Sequence, residues 1–96
     1  MANRSRMSDS DIQQHLAKLP GWARKGDAIT KSFTFQKFAD GIGFVDKVAA
    51  EADTMDHHPD IDIRYTTVTM TLSTHSAGGL TRMDIDLAEI IDRLKR

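Results

Sequence analysis

Three stripes of apolar residues at intervals of three and four run along the chain, and each is typical of one face of a helix. The first stripe begins behind Ser8, where Asp11 completes a capping pattern, and it ends at Pro20-Gly21. The second stripe predicts a helix over about residues 37–54, and the third starts behind the capping residue Thr81. In order, the stripes contain Ile12, Leu16 and Leu19; Phe38, Ile42, Val45, Ala49 and Ala52; and Met83, Leu87, Ile90 or Ile91, and Leu94.

Alternation of apolar and polar residues between these stripes predicts strands. A short strand at 22–24 and a longer one at 29–35, turned through Gly26, form one hairpin, and strands at 61–65 and 68–72 form another. The αββαββα order predicts an α+β fold in which the helices pack on one face of a four-stranded antiparallel sheet. The alternation assigns to the core Ile29, Phe33, Phe35, Ile61, Ile63, Val68, Met70 and Leu72.

Two glycines interrupt the second apolar stripe. Gly41 and Gly43 each weaken a helix by about 1 kcal/mol relative to alanine. We therefore expect them to permit a close approach by another part of the structure.

The 96 residues show no linker, repeat or low-complexity segment, which predicts a single domain over 1–96. Residues 1–7 are expected to form a flexible tail, with Met7 as an alternative start. A domain of this size has a small core, so a homo-oligomer is an expected source of further burial.

Composition narrows the class of protein. Thirteen basic and fourteen acidic residues give a net charge of −1, which does not favour direct binding to nucleic acid or to anionic membranes. The lack of cysteine excludes disulfides, thiolate metal sites and a cysteine nucleophile. The N-terminus has no apolar leader and no apolar run reaches membrane-spanning length, so we expect a cytoplasmic protein.

Three of the four histidines, His57, His58 and His75, fall at the ends of predicted elements, where loops allow side chains to converge. His75 shares strand parity with Thr69 and Thr71, so we expect it on the polar face of the sheet or at its edge. Neighbouring side chains such as those of His57 and His58 point in different directions. A shaped pocket or an irregular turn is therefore needed to use both.

The residues themselves leave three interpretations of the histidines open. Exposed histidines at a helix C-terminus interact favourably with the helix dipole and need no further role. A three-histidine site has the ligand number of a catalytic zinc, but adjacent histidines rarely face one ion, and we expect no metal. In the third interpretation the histidines catalyse proton transfer without metal, because the unperturbed pKa of histidine, about 6.5, allows proton exchange near neutrality.

The spacing of seven residues resembles the signature of pterin-4a-carbinolamine dehydratases. The pattern is D-x3-H-H-P-x5-Y-x9-H-x8-D, and the similarity extends along the chain from about Ile12. The residues that carry it are Asp53, His57-His58-Pro59, Tyr65, His75 and Asp84, together with Gly21-Trp22, IGFVDKVA at 42–49 and TLSTHSAGGLT at 71–81.

The resemblance implies a hydro-lyase that dehydrates 4a-hydroxytetrahydrobiopterin to quinonoid dihydropterin. Such an enzyme supports tetrahydropterin recycling after aromatic amino acid hydroxylation and requires no redox cofactor or metal. It uses histidines as general acid and base, and the resemblance assigns these roles to His57, His58 and His75. We interpret His57 and His75 as the proton-transfer residues and His58 as a residue that also orients the pterin.

The resemblance also implies further site residues. Asp84 matches a late aspartate of the family, which either orients a histidine or caps the last helix three residues after Thr81. Trp22 is a candidate wall of the pterin pocket, although a lone tryptophan in a small domain is more often in the core. Asp53 is interpreted as a helix-surface charge and Tyr65 as a packing residue.

The partners implied by the resemblance are a pterin substrate, a homodimer or homotetramer, and a functional link to an aromatic amino acid hydroxylase. Members of the family are also known as dimerisation cofactors of a homeodomain transcription factor. A non-catalytic protein-binding cofactor or scaffold of the same fold is therefore the alternative to the enzyme.

Overall fold

The computed structural model of this protein describes residues 5–96. Its elements are α1 (Asp9–Leu16), β1 (Ala23–Lys25), β2 (Ala28–Thr34), α2 (Phe38–Met55), β3 (Asp60–Arg64), β4 (Thr67–Leu72), a 3-10 turn (His75–Ala77) and α3 (Arg82–Lys95). The predicted αββαββα order is confirmed, with the 3-10 turn as an addition. The strands pair antiparallel throughout and lie in the order β1-β2-β4-β3.

Helices α1 and α3 begin where the sequence supplies a capping side chain. The Ser8 hydroxyl accepts a hydrogen bond from the backbone N–H of Asp11 at 3.1 Å, as the capping pattern predicts. The long helix α2 ends at Asp56, which adopts a left-handed conformation with φ 51°. Helix α3 opens with a capping box in which Thr81 accepts from the N–H of Met83 while Asp84 accepts from the N–H of Thr81.

The core lies between one face of the sheet and the helices, so the predicted packing of helices on one face is confirmed. Ile29, Val68 and Met70 are fully buried on the sheet, as their parity predicts. Phe35 and Ile61 are only half-buried at the margin of the core. Ile63 is 37% exposed, and its assignment to the core was wrong because β3 is an edge strand with a neighbour on one side only.

The two glycines of α2 differ in what they face. A Cβ at Gly41 would lie 3.3 Å from a methyl of Val68 and 3.4 Å from the Phe35 ring, so this glycine lets α2 approach the sheet closely. A Cβ at Gly43 would meet nothing within 4 Å. The expected close approach is therefore found at Gly41, whereas Gly43 faces open space within this chain.

The chain before α1 is tied to the core at its C-terminal end. The Met7 N–H donates to the carbonyl of Leu80 at 2.8 Å, and the Met7 side chain packs against the core. The expected flexible tail over 1–7 therefore needs correction at Met7, and residues 1–4 lie outside the described part of the chain.

Hydroxyl side chains line the second face of the sheet. Thr30 and Thr71 pair at 3.2 Å between β2 and β4, and Ser32 and Thr69 pair at 2.8 Å. This polar face continues past β4 to the loops that carry the histidines. No helix within residues 5–96 has the length and apolar character to cross a bilayer.

Candidate active site

A recess lies where the end of α2 meets the ends of β3 and β4. Its volume is about 230 Å³, and it opens to solvent. The walls contain all three of the singled-out histidines together with hydroxyl and carboxylate groups. The lining residues are Asp56, His57, His58, Asp60, Thr71, Ser73, Thr74, His75 and Ser76.

The end of α2 turns the two adjacent histidines in different directions. With Asp56 in the left-handed conformation, the N–H of His57 folds back to the carbonyl of Ala52 at 3.1 Å. The His57 side chain points inward and is 6% exposed, whereas the His58 side chain remains 58% exposed. An irregular helix end thus places one histidine in the wall of the recess and the other at its rim.

His57 is held by a buried carboxylate from the first turn of α3. Its Nε2 lies 2.6 Å from Oδ1 of Asp84, and Asp84 is fully buried. Oδ2 of the same carboxylate accepts from the Thr74 hydroxyl at 2.8 Å and from the Thr81 N–H at 3.0 Å. Asp84 therefore caps α3 and binds His57 at the same time, so its two predicted roles are not exclusive.

The hydrogen bonds around Asp84 determine which His57 nitrogen carries a proton. An ionised carboxylate only accepts hydrogen bonds, so Nε2 of His57 is the donor to Oδ1. In the neutral imidazole the other nitrogen, Nδ1, then has a free lone pair. Nδ1 is thus the nitrogen of His57 that can accept a proton.

His58 has a partner of its own on the outer surface of α2. Its Nε2 lies 2.8 Å from Oδ1 of Asp53, whose side chain is 78% exposed. An exposed ion pair of this kind contributes about 0–1 kcal/mol to stability. Asp53 is therefore a helix-surface charge, as expected, and it also contacts a histidine of the recess.

His75 is carried by the tight 3-10 turn after β4. Backbone hydrogen bonds between Thr74 and Gly79, at 3.0 and 3.3 Å, close the base of this turn. Gly78 completes it in a left-handed conformation with φ 72°. The exposed His75 side chain is thus presented from a closed loop and not from a continuing strand, so strand parity does not determine its direction.

Trp22 lies elsewhere in the molecule. Its indole N–H donates to Asp92 at 3.1 Å, and its ring packs edge-on against Phe33 with 6.3 Å between centroids. It is 6% exposed and is not among the residues that line the recess. Its predicted place in the pterin pocket is corrected to core packing, whereas Tyr65, interpreted as a packing residue, is 77% exposed.

Sequence reasoning missed Thr74 as a site residue. Thr74 continues the buried parity of Val68, Met70 and Leu72, and it is 2% exposed. A hydroxyl in such a position requires a hydrogen-bond partner. The alternation along β4, continued to Thr74, therefore predicts a buried hydroxyl at this position.

Acidic side chains near the recess do not assemble a metal site with the histidines. Within residues 5–96, no group of three or more histidine and carboxylate side chains is close enough to hold an ion. The arrangement that does exist is a set of three imidazoles, one of them backed by a buried carboxylate.

The fold and the recess together define a small α+β protein with a histidine-lined, carboxylate-supported site. The sequence profile of the pterin 4 alpha carbinolamine dehydratase family matches residues 5–94. A Mycobacteroides abscessus protein, provisionally named a pterin-4-alpha-carbinolamine dehydratase, is 54% identical over 86 residues, covering 90% of this chain and 92% of the relative. A Nocardia farcinica protein with the same provisional name is 54% identical over 90 residues, covering 94% and 95%. The chain belongs to the pterin-4-alpha-carbinolamine dehydratase family.

Solved structures show the same fold. A transcriptional coactivator/pterin dehydratase from Brucella melitensis superposes with a TM-score of 0.92 at 35% identity, covering 96% of this chain and 100% of that one. A pterin dehydratase-like protein identified as a RuBisCO assembly factor in the alpha-carboxysome superposes with a TM-score of 0.63 at 27% identity, covering 77% and 86%. Proteins of this fold are thus described as a transcriptional coactivator/pterin dehydratase and as a RuBisCO assembly factor.

Proposed function

We propose that this protein dehydrates 4a-hydroxytetrahydropterin, with 4a-hydroxytetrahydrobiopterin as the expected substrate, to quinonoid dihydropterin. The observation that carries the proposal is the meeting of His57, His58 and His75 at one recess, with His57 fixed on a buried carboxylate. Membership of the dehydratase family supports the same reaction. Here the reaction is assigned to histidine acid–base catalysis.

The chemistry needs two proton transfers at different atoms of the pterin. As the bond between C4a and its hydroxyl oxygen breaks, an acid must protonate the oxygen so that water leaves. A base must remove the proton from N5 as the C4a=N5 double bond forms. One proton enters and one leaves, so the net change is the loss of water, and a pair of imidazoles can supply both groups.

The surroundings of the histidines suggest how the two transfers are divided. His57 is the better base, since Asp84 holds its Nε2–H and stabilises the imidazolium that forms when Nδ1 takes the N5 proton. His75 is exposed on its turn and serves as the acid for the leaving hydroxyl. His58, at the rim with Asp53, binds and orients the pterin.

The polar lining of the recess suits a pterin edge. Thr71, Ser73 and Ser76 provide hydroxyls that can donate or accept, and a pterin presents both kinds of group along its ring. A volume of about 230 Å³ is below the range of about 300–1,000 Å³ that drug-sized ligands occupy. We therefore propose that the recess takes the reacting edge of a flat bicyclic ring, with the rest of the ligand in solvent.

The proposed product defines the place of the enzyme in metabolism. A hydroxylase that uses tetrahydropterin and oxygen would supply the carbinolamine, and a reductase would return the quinonoid product to the tetrahydro form. We propose the resulting link to an aromatic amino acid hydroxylase, in the cytoplasm, as the setting of this activity.

Direct turnover is the test of this proposal. We expect the parent protein to accelerate loss of enzymatically generated 4a-hydroxytetrahydropterin, followed by absorbance, above the uncatalysed background. Addition of a chelator should leave the acceleration unchanged, since the proposed acid and base are imidazoles. A folded parent protein that gives only the background rate would contradict the proposed dehydratase activity.

We also predict that this protein forms a homo-oligomer in solution. Ile63 and Tyr65 expose apolar surface on and beside the edge strand β3, and Phe38 is 49% exposed at the start of α2. An edge strand of this kind can extend one sheet into another across a twofold axis. We expect a dimer or tetramer by light scattering at micromolar concentration, and a monomer there would contradict the prediction.

A non-catalytic protein-binding role is the second candidate function. The similarity to the RuBisCO assembly factor favours it, because that protein shows the fold in an assembly role. Turnover by the intact chain distinguishes the two candidates. An enzyme needs the three histidines for this turnover, whereas a scaffold does not need them for binding.

A further inference from the structure

The buried carboxylate of Asp84 accepts a hydrogen bond from the hydroxyl of Thr74, which is bonded in turn to the hydroxyl of Thr81, and the proposed reaction uses neither hydroxyl. Thr74 Oγ1 lies 2.8 Å from Asp84 Oδ2 and 2.8 Å from Thr81 Oγ1. Thr74 is 2% exposed, and Thr81 and Asp84 are fully buried. No water is needed to satisfy these groups, since each one has a protein partner.

The direction of these hydrogen bonds is determined by the chemistry of the groups. A hydroxyl has one proton, and Thr74 must give its proton to the carboxylate, which only accepts. Thr81 must therefore donate to Thr74, while its own oxygen accepts from the N–H of Met83 at 3.3 Å. The chain of donors runs from the start of α3 through both hydroxyls to Asp84, and His57 donates to the opposite carboxylate oxygen.

The backbone of Thr74 has a second role at the same point. Its N–H and C=O bond to Gly79 and close the turn that begins at His75. One residue thus anchors the loop of the exposed histidine by its backbone and the carboxylate of the buried histidine by its side chain.

We propose that Thr74 is a positioning residue: its hydroxyl fixes the rotation of the Asp84 carboxylate and thereby holds His57 with the proton on Nε2 and the lone pair on Nδ1. The proposal rests on the proposed dehydration for its kinetic consequence only. The hydrogen-bonded state of His57 is a property of the protein without substrate. Without the Thr74 hydroxyl, Oδ2 of Asp84 keeps only the Thr81 N–H, and the carboxylate is held less firmly against Nε2 of His57. Where the carboxylate turns away from Nε2, it no longer determines which nitrogen of His57 carries the proton.

The substitution that isolates the hydroxyl is Thr74→Val, because valine keeps the branched shape and the backbone preference of threonine. Thr74→Ser restores the hydroxyl and removes the methyl group. Thr69→Val is the control, since it removes a hydroxyl from the adjoining strand β4 that pairs with Ser32, and Thr69 does not line the recess.

The first readout is the tautomer of His57 in the uniformly labelled full-length protein. Long-range proton–nitrogen correlation spectra distinguish an Nε2–H from an Nδ1–H imidazole. We expect one fixed Nε2–H tautomer in the parent, Thr74→Ser and Thr69→Val proteins, and a mixture of tautomers in Thr74→Val. A purely structural role for Thr74 would lower the melting temperature without altering this signal.

The second readout is the division of the kinetic effect. We expect kcat of Thr74→Val to fall by about tenfold, the lower end of the effect of residues that orient a site group, with KM little changed. Thr74→Ser should recover kcat to within about twofold of the parent.

Each contrary result overturns the proposal. A parent protein without the Nε2–H tautomer, a Thr74→Val protein that keeps it, or a Thr74→Ser protein that behaves like valine would show that the hydroxyl does not position His57. The tautomer results hold whether or not the parent turns over pterin, so a failed dehydratase assay is distinguishable from a failed positioning role. If Thr74→Val does not fold, Thr74→Ala removes the hydroxyl in its place, and an unchanged Nε2–H tautomer in Thr74→Ala overturns the proposal in the same way.

Discussion

Replacing His57 by glutamine is expected to reduce kcat/KM for the dehydration of 4a-hydroxytetrahydropterin by about 10²–10⁴-fold, the usual contribution of a general acid or base. Glutamine cannot exchange a proton near neutral pH, but its amide can still donate to Asp84 Oδ1. The substitution therefore removes the base and keeps the hydrogen bond of the buried carboxylate. Stopped-flow absorbance with freshly generated substrate measures the effect.

The choice of glutamine matters because His57→Ala would leave a buried carboxylate oxygen without its donor. Removing one partner of a buried pair typically costs about 3–5 kcal/mol, so a loss of activity in His57→Ala would be confused with unfolding. His15→Ala is the control for loss of a histidine, because His15 lies in a separate groove beside Lys18 and Pro20. A folded His57→Gln protein with parental activity would eliminate His57 as the base.

Much of this fold was predictable because its two periodicities are distinct. The alternation of Val68, Met70 and Leu72 predicts β4, and the stripe from Phe38 to Ala52 predicts the existence of α2. The face assigned to α2 was wrong except at Ala52, because the helix buries Gly41, Phe44, Val48 and Ala52 and leaves Phe38 and Ala49 exposed. The pattern did not predict that β3 is largely exposed, because alternation does not distinguish an edge strand from a central strand. Ile63 therefore has core parity but an exposed position.

The site was predictable to a lesser degree. Spacing and resemblance singled out the three histidines and Asp84, but not which histidine faces inward, since that depends on the left-handed residue Asp56 at the end of α2. Trp22 was misplaced because a resemblance supplies a residue's identity and not its surroundings. The contact between His57 and Asp84 joins elements that are 27 residues apart, and no local pattern encodes such a pairing.

Replacing Asp84 by asparagine is expected to invert the tautomer of His57 while the fold is retained. The Thr81 N–H can only donate, so the amide oxygen must occupy the position of Oδ2. The amide NH2 group then faces Nε2 of His57 and requires that nitrogen to accept. The proton moves to Nδ1, and Nδ1 then has no lone pair with which to take the N5 proton.

The expected loss is about 10³–10⁴-fold in kcat, as for the wrong tautomer in a carboxylate-supported histidine of a serine protease. Stability should change by only about 1 kcal/mol, because every hydrogen bond has a replacement and the shape of the side chain is preserved. Asp86→Asn is the matched control: Asp86 lies two residues further along α3 and bonds at 3.0 Å to the side chain of Arg82, on the surface.

Nitrogen shifts of labelled histidine and urea unfolding separate the two consequences of Asp84→Asn. An Nδ1–H tautomer with near-parental stability and lost turnover would show that the carboxylate acts by directing the proton of His57. Full activity with an inverted tautomer would assign the base to another histidine of the recess. Since Asp84 also caps α3, a protein that loses turnover and helix together would instead place the role of the carboxylate in the fold.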